Sequence, residues 1–244
     1  MAIRAPIVKL TAGRMTLTHE TSHYLCRVLR LRAGDAFLAF DPEALLEADA
    51  TITVASDSAA EITVSETRGA KVVADVPLVL VYALAKGDKV DAVVRDATEL
   101  GATRVVVART ERAIVKADEA KAANKLDRFR RVAEQAARQS GRADPPKIEG
   151  VYDFAAALEA AKSDTQARYC LDVRGTVELG ALLPAAITTR SGIAFAIGPE
   201  GGLTDREVEA ARAHGFEIVT LGRFVLRTET VAAAVLGAVR VLSR

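Results

Sequence analysis

The sequence predicts a small β-rich domain over residues 1–70, followed by an α/β domain with a mostly parallel sheet over residues 71–244. Three observations predict this. The first third holds short alternating stretches rich in Thr, Val and Ile, as half-buried strands are. Beyond Pro77, continuous apolar runs alternate with amphipathic stretches of helical period, the pattern of a sheet covered on both faces. Residues 68–77, with Gly69 and Pro77, separate the two regimes as a linker would. Half of the 244 residues are apolar, 27% are charged, and no low-complexity tract occurs, so a packed core is expected throughout.

Taken in order, the first helical signal is at residues 19–29, where Leu25, Val28 and Leu29 recur at helical spacing and place Arg27 near Arg30. Gly34-Asp35 marks a turn, and strands are predicted at 37–40, 50–55 and 61–65. The run LVLVYALA at 78–85 reads as a strand buried on both sides. After Gly87-Asp88, the apolar residues Val90, Val93, Val94, Ala97 and Leu100 follow a 3.6 period until Gly101. A strand at 104–109 precedes an amphipathic helix at 121–140, which turns Leu126, Phe129, Val132, Ala133, Ala136 and Ala137 inward. Further strands are predicted at 169–173, 192–197 and 217–221. Thr204-Asp205-Arg206-Glu207 is a capping box opening a helix that Gly215 ends, and a last helix covers about residues 230–242.

Composition excludes several classes. No run of about 18 apolar residues exists, which argues against a membrane span. The opening MAIRAPIVKL lacks the apolar core of a signal peptide. Cys26 and Cys170 are the only cysteines, which suits a reducing cytoplasm and argues against a disulfide framework or a zinc site. His19, His23 and His214 show no ligand spacing, so no metal is expected. The net charge of +1 conceals two basic stretches, residues 1–32 and 121–142, each with a surplus of five positive charges. Such concentration suits a phosphate-binding face, although a solvated helix face has the same composition.

Two segments carry chemistry. Residues 197–202, IGPEGG, stand where a buried strand gives way to a helix, the end of a parallel sheet where ligands bind. The glycines let backbone approach a ligand closely. The Lys and Ser/Thr of a phosphate loop are missing, and the spacing is not that of a dinucleotide fingerprint. Residues 221–230, LGRFVLRTET, occupy the same place after the last strand and could form the facing wall of one pocket. Taken singly, the first could be an ordinary strand-to-helix turn, and Arg227 with Glu229 an ordinary helix-cap ion pair.

The order IGPEGG, capped helix, LGxxxLRTET and final helix resembles the SPOUT methyltransferases. More narrowly, the chain resembles the RsmE family, which methylates N3 of a uridine in 16S ribosomal RNA. Further matches are RVLR at 27–30, KGDK at 86–89, ATELG at 97–101, TER at 110–112 and QSGR at 139–142. Arg138 replaces an acidic residue usual in the family, and Pro42 replaces a glycine. The resemblance implies a PUA-like β-barrel followed by a SPOUT-type parallel sheet whose end forms a trefoil knot. It implies S-adenosylmethionine as cofactor, held by Leu171, Ile197, Gly198, Pro199, Glu200, Gly202, Leu221, Gly222, Val225, Leu226 and Thr228. It places Arg227, Glu200 and Glu229 at the chemistry, and Arg27, Arg30, Lys86, Arg112, Arg138 and Arg142 on RNA. The implied partners are 16S ribosomal RNA or the small ribosomal subunit and a second copy in a homodimer, with no membrane and no metal.

Two other readings remain at this level. One is a SPOUT methyltransferase for another RNA. The other is a non-catalytic RNA-binding ribosome assembly factor, against which the intact GPEGG and LRTET segments argue.

Overall fold

The computed structural model describes residues 3–74, 76–85, 88–113 and 119–243. The chain divides into two compact units, Met1–Val73 with Ala137–Pro145, and Ala74–Ala136 with Pro146–Arg244.

In the first unit, β1 (Arg4–Pro6), β2 (Gly13–Thr16), β3 (Ala36–Asp41), β4 (Leu46–Val54) and β5 (Glu61–Val64) form a sheet in the order β1-β3-β4-β5-β2, with β6 (Arg68–Gly69) also on β4. Only β1 and β3 pair in parallel. Alternate residues such as Phe37, Ala39, Ala50, Ile52, Ile62 and Val64 enter one core together with Leu25 and Leu31. The predicted helix at 19–29 is real but irregular. Four α-helical residues, α1 (His19–Ser22), pass into a π-helical turn over His23–Val28, where the Leu29 N–H reaches the Tyr24 carbonyl at 2.9 Å. Pro42 is explained by the turn it starts. Both oxygens of the Asp41 carboxylate accept backbone N–H groups, from Glu43 (2.9 Å) and Ala44 (3.0 Å) and from Leu10 (3.1 Å), so the side chain itself organises this bend.

The second unit comprises β7 (Leu78–Ala83), α2 (Lys89–Glu99), β8 (Arg104–Arg109), most of α3 (Glu119–Ser140), β9 (Lys147–Asp153), α4 (Phe154–Ala161), β10 (Ala167–Leu171), β11 (Val177–Glu178), α5 (Leu179–Thr189), β12 (Ile193–Ile197), α6 (Asp205–Ala213), β13 (Glu217–Thr220) and α7 (Thr228–Leu242). Seven strands pair in the order β11-β13-β10-β12-β7-β8-β9, all in parallel. The six residues of β7 are all buried, as the apolar run predicts. Leu78, Leu80 and Tyr82 face a core with α2, α3, α5 and α7, while Val79 and Val81 face a second core with α4 and α6. Sequence periodicity does not reveal β9, whose edge position leaves most of it partly exposed, or α5, which carries Pro184 in its interior.

Candidate active site

Three loops at the carboxyl ends of adjacent parallel strands meet. They follow β10, β12 and β13 and enclose a cavity of about 650 Å³, lined by residues 171–173, 197–203 and 219–228 with Val231. Every residue that the resemblance assigns to the cofactor lies on this lining. The inner wall is apolar and packed: Ile197, Gly198 and Pro199 are buried, while Leu171 and Leu221 are half-buried. The outer wall is open, with Val173 at 75%, Phe224 at 76% and Val225 at 87% exposure. Gly222 adopts φ +65° with open space where a Cβ would stand, so its backbone can approach a ligand that a side chain would obstruct.

The 198–202 loop is held by hydrogen bonds from within the protein. Gly202 donates its N–H to the Pro199 carbonyl at 2.8 Å, closing a tight turn. Arg112 Nη1 donates to the carbonyls of Gly201 (3.1 Å) and Leu203 (3.3 Å). Arg174 Nη2 donates to the same Leu203 carbonyl at 2.9 Å, while its guanidinium grips both oxygens of Asp172 and one of Asp205. The loop is thus clamped from two sides by arginines. The capping box of α6 completes it: Thr204 Oγ1 accepts the Glu207 N–H, and Glu207 accepts the Thr204 N–H and, from the 110–112 turn, the Glu111 N–H.

A cluster of charged groups adjoins the cavity through Glu200 and Arg227, which line it. Lys89 Nζ lies 2.7 Å from Glu200 Oε1 and 3.7 Å from Glu229 Oε1. The Lys89 hydrogen bond holds the Glu200 carboxyl below the usual range. Its own backbone N–H, which outweighs burial, does the same for Glu229. Arg227 is the N-cap residue of α7, exposed, and its guanidinium has no hydrogen-bond partner among the described residues. A cation at a helix N-terminus opposes the helix dipole, so helix stability is no reason for its presence. Below it, the Tyr82 hydroxyl meets Thr228 Oγ1 at 2.9 Å. Burial pushes that phenol up to about 12, so it stays neutral and anchors the start of α7.

The six residues expected on RNA fare differently. Arg27 and Arg30 are exposed and, with Arg32 and Ser56, line a separate basic cavity of about 640 Å³ in the first unit. Arg138 is half-buried, with its guanidinium 5.2 Å from the Tyr24 ring centre. Arg112 is exposed but engaged with the 198–202 loop. Arg142 differs from the others: it is only 5% exposed and forms a two-pronged pair with Asp144, so its charge is already paired inside the protein. Lys86 lies outside the described residues. Lys89 belongs to the KGDK match but has no role assigned from the sequence. It follows the carboxyl end of β7 as IGPEGG follows that of β12.

Comparison with known proteins gives a consistent picture. An RNA methyltransferase domain matches residues 73–240, and an RNA methyltransferase PUA domain matches residues 17–65. The ribosomal RNA small subunit methyltransferase E of Synechocystis is 35% identical over 236 residues, covering 96% of this chain and 75% of that protein. The Bacillus subtilis protein of the same name is 27% identical over 231 residues, covering 93% and 90%. The crystal structure of ribosomal RNA small subunit methyltransferase E from Neisseria gonorrhoeae, bound to S-adenosyl methionine, superposes with a TM-score of 0.87 at 27% identity over 99% of this chain and 98% of that one. The chain therefore belongs to the RNA methyltransferase family, within the ribosomal RNA small subunit methyltransferase E group.

Proposed function

We propose that this protein transfers a methyl group from S-adenosylmethionine to N3 of a uridine in the 16S RNA of the small ribosomal subunit. The observation that carries the reading is the cavity at the ends of β10, β12 and β13, with Glu200 and Arg227 on its lining and Glu229 joined to Glu200 through Lys89. The cavity fits the cofactor: its volume is in the range of small-molecule sites, and it joins apolar walls to open backbone at Gly222. Bound there, the cofactor supplies a methyl group already activated by a sulfonium charge.

The chain's own residues have two tasks. N3 of uracil carries a proton, which must leave before the nitrogen can accept a methyl group. Glu200 and Glu229, both ionised, are placed to take that proton. Arg227, without a hydrogen-bond partner among the described residues, can offset the negative charge that spreads over the base, as donors do in an oxyanion hole. Arg27 and Arg30 would bind backbone phosphates and set register without reading sequence.

The reading extends to the whole assembly. Residues 1–70 act as the PUA-like RNA-binding part and residues 71–244 as the methyltransferase, with the C-terminal stretch threaded as a trefoil knot. The exposed Phe224 and Val225, and Val241 and Leu242 on α7, are apolar surface that a second copy in a homodimer would cover. No helix among the described residues is long and apolar enough to cross a membrane. In this reading the protein works on ribosomal subunits in the cytoplasm and needs no metal.

The test is transfer of labelled methyl from S-adenosylmethionine to small subunits lacking the modification, followed by nucleoside analysis. Formation of 3-methyluridine is the expected result. Cofactor binding without transfer would move the substrate to another RNA, and absence of both would favour an assembly factor without catalysis.

A further inference from the structure

Lys89 opens α2, and its ammonium joins three segments distant in sequence: α2 itself, the 198–202 loop through Glu200, and the first turn of α7 through Glu229. The three side chains are 27–39% exposed, and ion pairs between partly exposed groups contribute little to stability. Position offers a better reason. Arg227 is close enough to oppose the charge of Lys89 and to favour the ionised form of Glu229, so two cations and two carboxylates form one cluster, of which Glu200 and Arg227 line the cavity. Were Lys89 absent, Arg227 would be the cation left acting on Glu229, and its guanidinium would be drawn away from the base.

We propose that Lys89 is a positioning residue for methyl transfer, which ties Glu200 and the 198–202 loop to α2 and thereby keeps Arg227 available to the substrate base. The proposal rests on the reading of this cavity as the methyl-transfer site. It has a consequence in pH. The hydrogen bond from Lys89 is the largest influence lowering Glu200. The other groups facing the cluster are Glu229 and Arg227 on α7 and Tyr82 on β7, while Asp88 and Asp91 beside Lys89 are held by Arg128 of α3. Removing the ammonium lets the Glu200 carboxyl rise towards its ordinary range, so an activity that needs it ionised loses its acid side at higher pH.

The experiment compares wild type, Lys89→Met and Lys89→Arg as full chains. It reads kcat and KM for small subunits across pH, the cofactor Kd by calorimetry, the melting temperature, and the titration of the Glu200 carboxyl by carbon-13 NMR. Lys89→Met is expected to lower kcat by about tenfold or more while leaving the cofactor Kd within about threefold. The acid limb and the Glu200 titration should move to higher pH together, and Lys89→Arg should restore most of both. Activity of Lys89→Met within about twofold of wild type, or a loss with an unmoved acid limb and no rescue by arginine, would overturn the proposal. If wild type transfers no methyl group to the subunits, the functional reading fails. The Glu200 titration then decides the Lys89 tie by itself, because an unmoved titration in Lys89→Met refutes it.

Discussion

Arg227 and Asp41 show two opposite uses of a charged side chain. Arg227 is exposed, has no hydrogen-bond partner among the described residues, and caps a helix at the end where its charge is unfavourable. Arg227→Ala should therefore leave stability within about 0.5 kcal/mol of wild type. Its methylation rate should fall about 100-fold or more, as when one donor to a developing charge is deleted, with cofactor affinity nearly unchanged. Calorimetry and a methyl-transfer assay on one preparation separate these effects. Asp41 is 2% exposed and serves structure. Burial by itself raises a carboxyl, but the N–H groups of Ala44, Leu10, Glu43 and Lys9 outweigh it and hold Asp41 below the usual range. A group depressed in the folded state adds stability that is complete above its unfolded pKa, roughly 3.9, and is lost as pH falls through the folded value. Asp41→Asn should thus be less stable by about 2 kcal/mol at neutral pH, with the gap closing in strongly acid solution; denaturant titrations at several pH values would measure it.

At the scale of elements, the 198–202 loop depends on the helix that follows it. The Thr204–Glu207 box caps α6, and Glu207 also receives the Glu111 N–H, so one carboxylate ties the helix start to the turn after β8. Thr204→Ala should lower unfolding free energy by about 1 kcal/mol, read from urea denaturation, and should weaken cofactor binding if the 198–202 loop loosens with the cap. Gly175 sets a second constraint, because a Cβ there would stand 2.7–2.8 Å from backbone atoms of Val219. Backbone atoms cannot rotate aside as a flexible side chain can, so the loop after β10 can pass β13 only with glycine at this position. Gly175→Ala should therefore destabilise the second unit and distort the cavity lined by both loops, visible as reduced cofactor affinity.

At the scale of the whole molecule, the parallel sheet is the device that assembles the site. Placing β10 between β13 and β12 brings three carboxyl-terminal loops to one edge, where cavities form in open α/β sheets. RNA affinity is expected to come from dispersed positive charge, and the arginines divide clearly by burial. Replacing Arg27 or Arg30 with Ala should reduce the slope of log affinity against log salt by about one each. Arg142→Ala should leave that slope unchanged and instead destabilise the fold by about 3 kcal/mol, since it strips a buried partner from Asp144. Salt titrations of RNA binding beside thermal melts distinguish the two groups.

Much of this was readable along the chain. The strand at residues 78–85, the helix closed by Gly101, the box at Thr204 and the two strand-end motifs all depend on residues within a few positions of one another, so spacing alone exposes them. The residues that the resemblance assigns to the cofactor also fall together on one cavity. What only the tertiary structure decided was which partner each charge meets. Lys89 reaches Glu200 across 111 positions, Arg112 reaches Gly201 across 89, and Tyr82 reaches Thr228 across 146. The fate of Arg142 belongs here too, because burial of a basic residue in a basic stretch leaves no trace in composition. The physical reason is the same in each case: crossover connections in a parallel sheet set which strand ends become neighbours, and periodicity records only what happens within one element.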